Sequence, residues 1–191
     1  MEIRIWGRER MRRYANKQHA EQTAVISIAN IDEAFLDLHR KPSNGIDALC
    51  EVSFNDVELG INGAPYGCIT DADADQIVAF VHEIAGKTDK LIIQCEDGVS
   101  RSAGVAAAIM AHFSDEKWHV WNHPNYRPNV TCYRKVMAAF HDVIDERELK
   151  ANITENRYLI EFFADDKVLV PPLVLFDEDE EGGEDGDDPQ I

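Results

Sequence analysis

At 191 residues, 45% of them hydrophobic, the chain has enough material for one compact α/β domain with a two-sided core. Its formal net charge of -17 argues against nucleic acid as a partner, and its longest apolar run, 103–111, is far too short to cross a bilayer, so no membrane association is expected. The four cysteines, Cys50, Cys68, Cys95 and Cys132, include no Cys-x-x-Cys pair, which fits neither a disulfide framework nor a zinc site and points to a reducing cytoplasm.

Taken in chain order, Glu2 to Trp6 alternates polar and apolar residues and predicts a short strand, followed after Gly7 by a charged helix to about His19. Arg4, Arg8, Arg10, Arg12, Arg13 and Lys17 make this arm basic, and a solvated helix face is the simpler reading than a binding patch. Thr23 to Ala29 is β-branched and apolar, as a central strand should be. Asp32 to Arg40 reads as a short helix closed by the turn 41–45, and Ala48 to Phe54 as the next strand.

A loop rich in glycine and proline then runs to Thr70, whose cluster with Asp71 and Asp73 suits the start of a helix, because short side-chain oxygens accept from first-turn amides. Apolar spacing from Ile77 to Ile84 continues that helix, and Gly86 stops it. Lys90 to Gln94 is a fourth strand, and Ser102 to Phe113 a small-residue helix whose alanines and Gly104 would let it lie close on a sheet. Pro128, read as a first helical position, opens a helix from Val130 to about Glu148, with one more over 153–164 and an extended segment from Val168 to Phe176. Strands alternating with helices predict an α/β fold: a central, mainly parallel sheet with helices on both faces.

Chemistry concentrates between the fourth strand and the small-residue helix, in Cys95-Glu96-Asp97-Gly98-Val99-Ser100-Arg101-Ser102. Successive backbone N–H groups in a tight loop cradle a phosphate dianion, and a helix opening there turns its positive end toward the anion. Glu96, Asp97, Gly98, Val99, Ser100 and Arg101 supply that cradle, with Gly98 giving the backbone freedom it needs. Cys95 at the focus is the candidate nucleophile, since the thiolate is the reactive form and such amides favour it. Arg101 offers a planar fork that bridges two phosphate oxygens, and Ser102 a hydroxyl for the thiolate as it leaves.

This segment resembles the His-Cys-x5-Arg-Ser/Thr signature of the protein-tyrosine phosphatase superfamily, and its Gly-x-Ser-Arg-Ser ending resembles the dual-specificity branch, as in small bacterial and phage-type members. The resemblance implies hydrolysis of a phosphomonoester, carried by a phosphorylated protein, through a phosphocysteine intermediate, with no cofactor and no metal. It also implies a general acid just after the strand that precedes the loop's own helix-strand unit. Asp56 has that placement, and the loop beyond it would act as a flap; Asp71, Asp73 and Asp75 lie nearer in sequence, but helix capping accounts for that cluster.

Gln94 departs from the family, which usually has His before the nucleophile, and this keeps alive a second reading: a pseudophosphatase that binds phosphorylated partners without turnover. A sulfurtransferase would have a shorter loop, and an arsenate reductase would want a resolving cysteine nearby. Glu96 and Asp97 add negative charge beside the pocket, which disfavours polyanionic substrates such as phosphoinositides. His119 and His123 are poor metal ligands beside Pro124, and Asn156-Arg157-Tyr158, an Asn-Arg-Tyr triplet like the substrate loop of tyrosine-specific enzymes, follows the catalytic loop where theirs precedes it.

Residues 1–176 are expected to form the phosphatase domain and 177–191 a disordered acidic tail. Asp177 to Asp188 holds nine acidic residues broken only by glycines, which leaves the body at -17 + 9 = -8.

Overall fold

A computed structural model describes residues 1–38, 45–58, 66–114 and 118–166, with side chains to 163. The acidic tail, the segment from Val168 to Phe176, and most of the 41–45 turn and the glycine-proline loop lie outside these residues. Strands β1 (Glu2–Gly7), β2 (Thr23–Ala29), β3 (Ile46–Ser53) and β4 (Lys90–Cys95) form one all-parallel sheet in the order β1-β4-β2-β3. β2 and β4 are buried at every position, which is why their sequences are mostly apolar rather than alternating, with Ser27 and Gln94 among the buried polar exceptions.

Helices cover both faces, as expected. On one face Ile5, Ile26, Ile28, Leu91 and Ile93 pack beneath helices α2 (Asp71–Ile84), α3 (Arg101–Phe113) and α4 (Val130–Ala139). On the other, Trp6, Val25 and Ile92 meet Met11 of α1 (Arg8–Ala15) and Leu38. β4 lies between β1 and β2, with Gly7 beside Cys95 and Ser27 beside Gln94, so the loop leaving β4 opens at the middle of the sheet's carboxyl edge, where open parallel sheets hold ligands.

Local signals placed several boundaries. Thr70 and Asp73 form a reciprocal capping box at the start of α2, and Gly86, with φ +71°, follows its end. α1 stops at Ala15, short of His19, whose ring folds back and stacks on Tyr14 with centroids 3.5 Å apart. Pro128 sits just before α4, and Asn129 caps it by accepting from the Cys132 amide at 3.0 Å.

Three expectations are corrected. The segment 32–38 is not helical: Leu36 and Leu38, two positions apart, both reach the α1-side core, a spacing that suits extended chain. The helix expected from Val130 to Glu148 is two. α4 ends at Ala139, His141 takes φ +60° while Asp142 donates back to the Met137 carbonyl, and Asp145 Oδ1 caps α5 (Glu146–Asp166) through the amides of Arg147 and Glu148. Gly104 faces α4 rather than the sheet: a Cβ there would come within 2.4 Å of the Asn129 carbonyl.

Candidate functional site

The loop after β4 is drawn tight by its carbonyls. Glu96 O accepts from Arg8 N at 2.8 Å, Val99 O from Arg127 N at 2.9 Å, and Ser100 O from both Gly104 N at 2.8 Å and Asn129 N at 3.1 Å. The amides of residues 96–102, in contrast, have no acceptor among the described residues. N–H groups left without partners at a helix start can hold an anion, which is what this row at the start of α3 offers chemically. Gly98 makes the turn with φ +72°, and a Cβ on it would lie 2.4 Å from Gly7 N, so glycine is required twice over.

The candidate side chains converge on this loop. Cys95 is buried at 2% exposure, and its Sγ lies 3.1 Å from Ser102 Oγ. Arg101, buried at 3%, donates through Nη1 to Asn30 Oδ1 and to the Phe54 carbonyl, each at 2.8 Å, while its Nε has no partner among the described residues. Two bonds to fixed oxygens hold the guanidinium in one orientation and leave a donor over, the condition for gripping a further anion.

Asp56 joins the same loop from β3's exit: its Oδ1 accepts from Ser100 Oγ at 2.7 Å and from Asn129 Nδ2 at 2.9 Å. Asp71 instead pairs with Lys135, Asp73 closes the capping box, and Asp75 is exposed on α2. Glu96 and Asp97 are exposed, and Glu96 has Arg8 Nε 3.8 Å away.

Two positioning residues, Asn30 and Asn129, did not stand out in the sequence as parts of the site. Asn30 and Asn129 hold Arg101 and Asp56, from segments that are distant in the chain. Gln94, fully buried, accepts at Oε1 from Ser27 Oγ at 2.9 Å and donates from Nε2 to the Cys95 carbonyl at 2.6 Å. Asn129 left a legible trace, an N-cap residue after proline, whereas Asn30 acts through a contact that no local pattern encodes.

Burial pushes the Cys132 thiol well above its ordinary pKa, and the Asp56 carboxylate adds to the shift. Burial likewise raises Cys68, and raises Cys50 to about 11, so these three remain thiols at neutral pH. Among the described residues no group of three His, Cys, Asp or Glu side chains could hold a metal ion. His123 is instead buried, its Nδ1 accepting from the Asn125 amide. No helix of the described residues is long and apolar enough to cross a membrane.

No family model matches the sequence, and no curated protein matches it. Among solved structures the chain is similar to Tk-PTP in its active form, at 12% identity and TM-score 0.38, over 83% of this chain and 92% of that one. It is also similar to PTPMT1, at 16% identity and TM-score 0.36 over 86% of this chain and 99% of that one. PTPMT1 in complex with PI(5)P gives 15% identity and TM-score 0.35, over 87% and 94% of the two chains. These are structures of the protein-tyrosine phosphatase type.

Proposed function

We propose that this chain is a cysteine-dependent phosphatase acting on phosphotyrosine or phosphoserine/threonine in proteins, with Cys95 as nucleophile. The observation that carries the reading is the loop itself: seven consecutive amides, 96–102, without acceptors among the described residues, around a cysteine whose Sγ lies 3.1 Å from Ser102 Oγ. The bound phosphate's nonbridging oxygens take these amides and the Arg101 guanidinium, the donors best matched to charge that spreads over those oxygens in the transition state.

In the first step the Cys95 thiolate attacks phosphorus in line. An S–P bond forms as the ester P–O bond breaks, and Asp56 gives its proton to the leaving oxygen. In the second step Asp56 takes a proton from water, whose oxygen attacks phosphorus. The S–P bond then breaks, inorganic phosphate leaves, and Ser102 Oγ–H donates to the returning thiolate. One carboxyl serves both halves, so its tie to the loop through Ser100, 44 residues away in sequence, supports Asp56 in that role.

Turnover of p-nitrophenyl phosphate tests this. Cys95→Ser is expected to abolish it while leaving orthovanadate binding largely intact, and chelators are expected to have no effect. Metal-dependent turnover surviving in the serine variant overturns the mechanism. A parent protein that binds orthovanadate yet turns over no phosphomonoester is the pseudophosphatase reading, which Gln94 motivates; the 2.6 Å bond from Gln94 to the Cys95 carbonyl weighs against it, because it keeps a donor on the nucleophile's own backbone. The domain is taken as residues 1–176, working in the cytoplasm, and deletion of 177–191 is expected to leave turnover and melting temperature unchanged.

A further inference from the structure

A cavity of about 280 Å³ opens beside the Ser100 flank of the catalytic loop. Asp56 and Ser100 form its wall nearest the loop, and Arg127, Arg157, Trp121 and Asn156 line it farther out. We propose that this cavity is a specificity subsite that binds an acidic side chain, Asp or Glu, of the substrate peptide next to the phosphorylated residue, with Arg127 and Arg157 as its ligands. The proposal rests on the phosphatase reading above, because it is the phosphate in the loop that delivers the neighbouring side chain to this cavity.

Continuity comes first. Arg127 N bonds Val99 O at 2.9 Å, and Asp56 is held by Ser100, so the cavity begins where the cradle ends. Charge comes second. Both guanidinium groups are exposed and without an ion-pair or hydrogen-bond partner among the described residues, in a protein of net charge -17. The two acids of the lining each have one oxygen engaged within it: Asp56 Oδ1 accepts from Ser100 and Asn129, and Glu58 Oε1 from the Val130 amide.

Rigidity is the third point. Asn156, 3% exposed, donates to the carbonyls of Trp121 at 2.7 Å and Tyr126 at 3.0 Å, which pins α5 to the segment carrying Arg127 and so sets Arg157 on the same cavity. Asn156 and Arg157 belong to the triplet set aside in the sequence, and their places on α5 give it a use. Trp121, 1% exposed, adds an indole Nε1 with no acceptor among the described residues. With Asp56 carrying the proton it donates, two arginines against Glu58 leave the lining with one net positive charge, which suits a monoanionic carboxylate over a second phosphate dianion.

The test uses three phosphotyrosine peptides alike except beside the phosphorylated residue, which carry Glu, Gln or phosphoserine there. The parent protein is expected to favour the Glu peptide over the Gln peptide in kcat/KM by about fivefold, the size of a partly exposed charge pair, and to lose that preference as salt rises. Arg157→Ala and Arg127→Ala bring the ratio toward one, and Arg157→Lys retains most of it. A ratio unmoved by both alanine variants, a preference for Gln, or a stronger preference for phosphoserine overturns the proposal. The same three peptides titrated onto Cys95→Ser protein read the preference as Kd without turnover. If that Glu-over-Gln preference is present while p-nitrophenyl phosphate is inert, the phosphatase reading fails and the subsite stands; turnover without the preference is the reverse.

Discussion

The two flanks of the loop from Cys95 to Ser102 are held by different means. On the β1 side backbone meets backbone: Arg8 N bonds Glu96 O, and Gly98 sits against Gly7 and Trp6 so closely that no side chain fits. On the α4 side, side chains do the holding: Ser100 and Asn129 converge on the Asp56 carboxylate, and Asn129 also caps α4. The first flank shapes the cradle, and the second brings an ionisable group to it. Changes on the first flank are therefore expected to remove binding and turnover together, and changes on the second to remove turnover selectively.

The largest effect is expected from Gly98→Ala. Forcing alanine into φ +72° costs on the order of 1–2 kcal/mol before the clash with Gly7 N at 2.4 Å is counted. Because the chain must move to relieve it, the amide cradle is lost, and turnover and orthovanadate inhibition should disappear together. Survival of orthovanadate binding in this variant would mean that the glycine contact does not shape the cradle.

Next comes Asp56→Asn, which keeps an Oδ1 acceptor for Ser100 and Asn129 and so removes the acid without the tie. It is expected to lower kcat about a hundredfold and to remove the basic limb of the pH–rate profile while orthovanadate binding persists. A near-neutral result, with that phenotype found in Asp71, Asp73 or Asp75 variants, would move the acid to the start of α2. Asn129→Ser is milder: serine can still accept from the Cys132 amide and cap α4, but it has no amide to donate to Asp56. Its expected signature is a kcat lowered about tenfold with an almost unchanged melting temperature, separating positioning from folding.

How much of this was legible in the sequence follows from how local each signal is. The loop from Cys95 to Ser102 was legible because its strand, its positive-φ glycine and its helix are consecutive. Asp56 was legible only by its position after a strand, and the bonds that bring it to the loop cross 44 residues to Ser100 and 73 to Asn129. The break between α4 and α5 was hidden by an accident of spacing. Val136, Met137, Phe140, Val143 and Ile144 continue a helical period, yet Val143 is 94% exposed and carries no core packing. The truer signal there was Asp145 with Glu148 three residues on, the pattern of a helix start.

The smallest effect is expected at Gln94, which sits inside the sheet between the two flanks. Its amide spans two strands: Ser27 of β2 donates to Oε1, and Nε2 donates to the Cys95 carbonyl at the end of β4. Gln94→Leu removes both bonds and leaves the Ser27 hydroxyl buried without that acceptor, so a loss of about 1–3 kcal/mol of stability is expected together with a severalfold lower kcat. Ser27→Ala removes only the bond that orients the amide. The donor to the Cys95 carbonyl stays, so stability should fall by about 1 kcal/mol while kcat changes by less than about threefold. Denaturant midpoints and p-nitrophenyl phosphate kinetics on both variants read the difference. If Ser27→Ala lowers kcat as far as Gln94→Leu does, the orientation imposed from β2 matters to the nucleophile as much as the bond itself. If neither variant changes kcat, the carbonyl bond serves the sheet alone and Gln94 is no positioning residue.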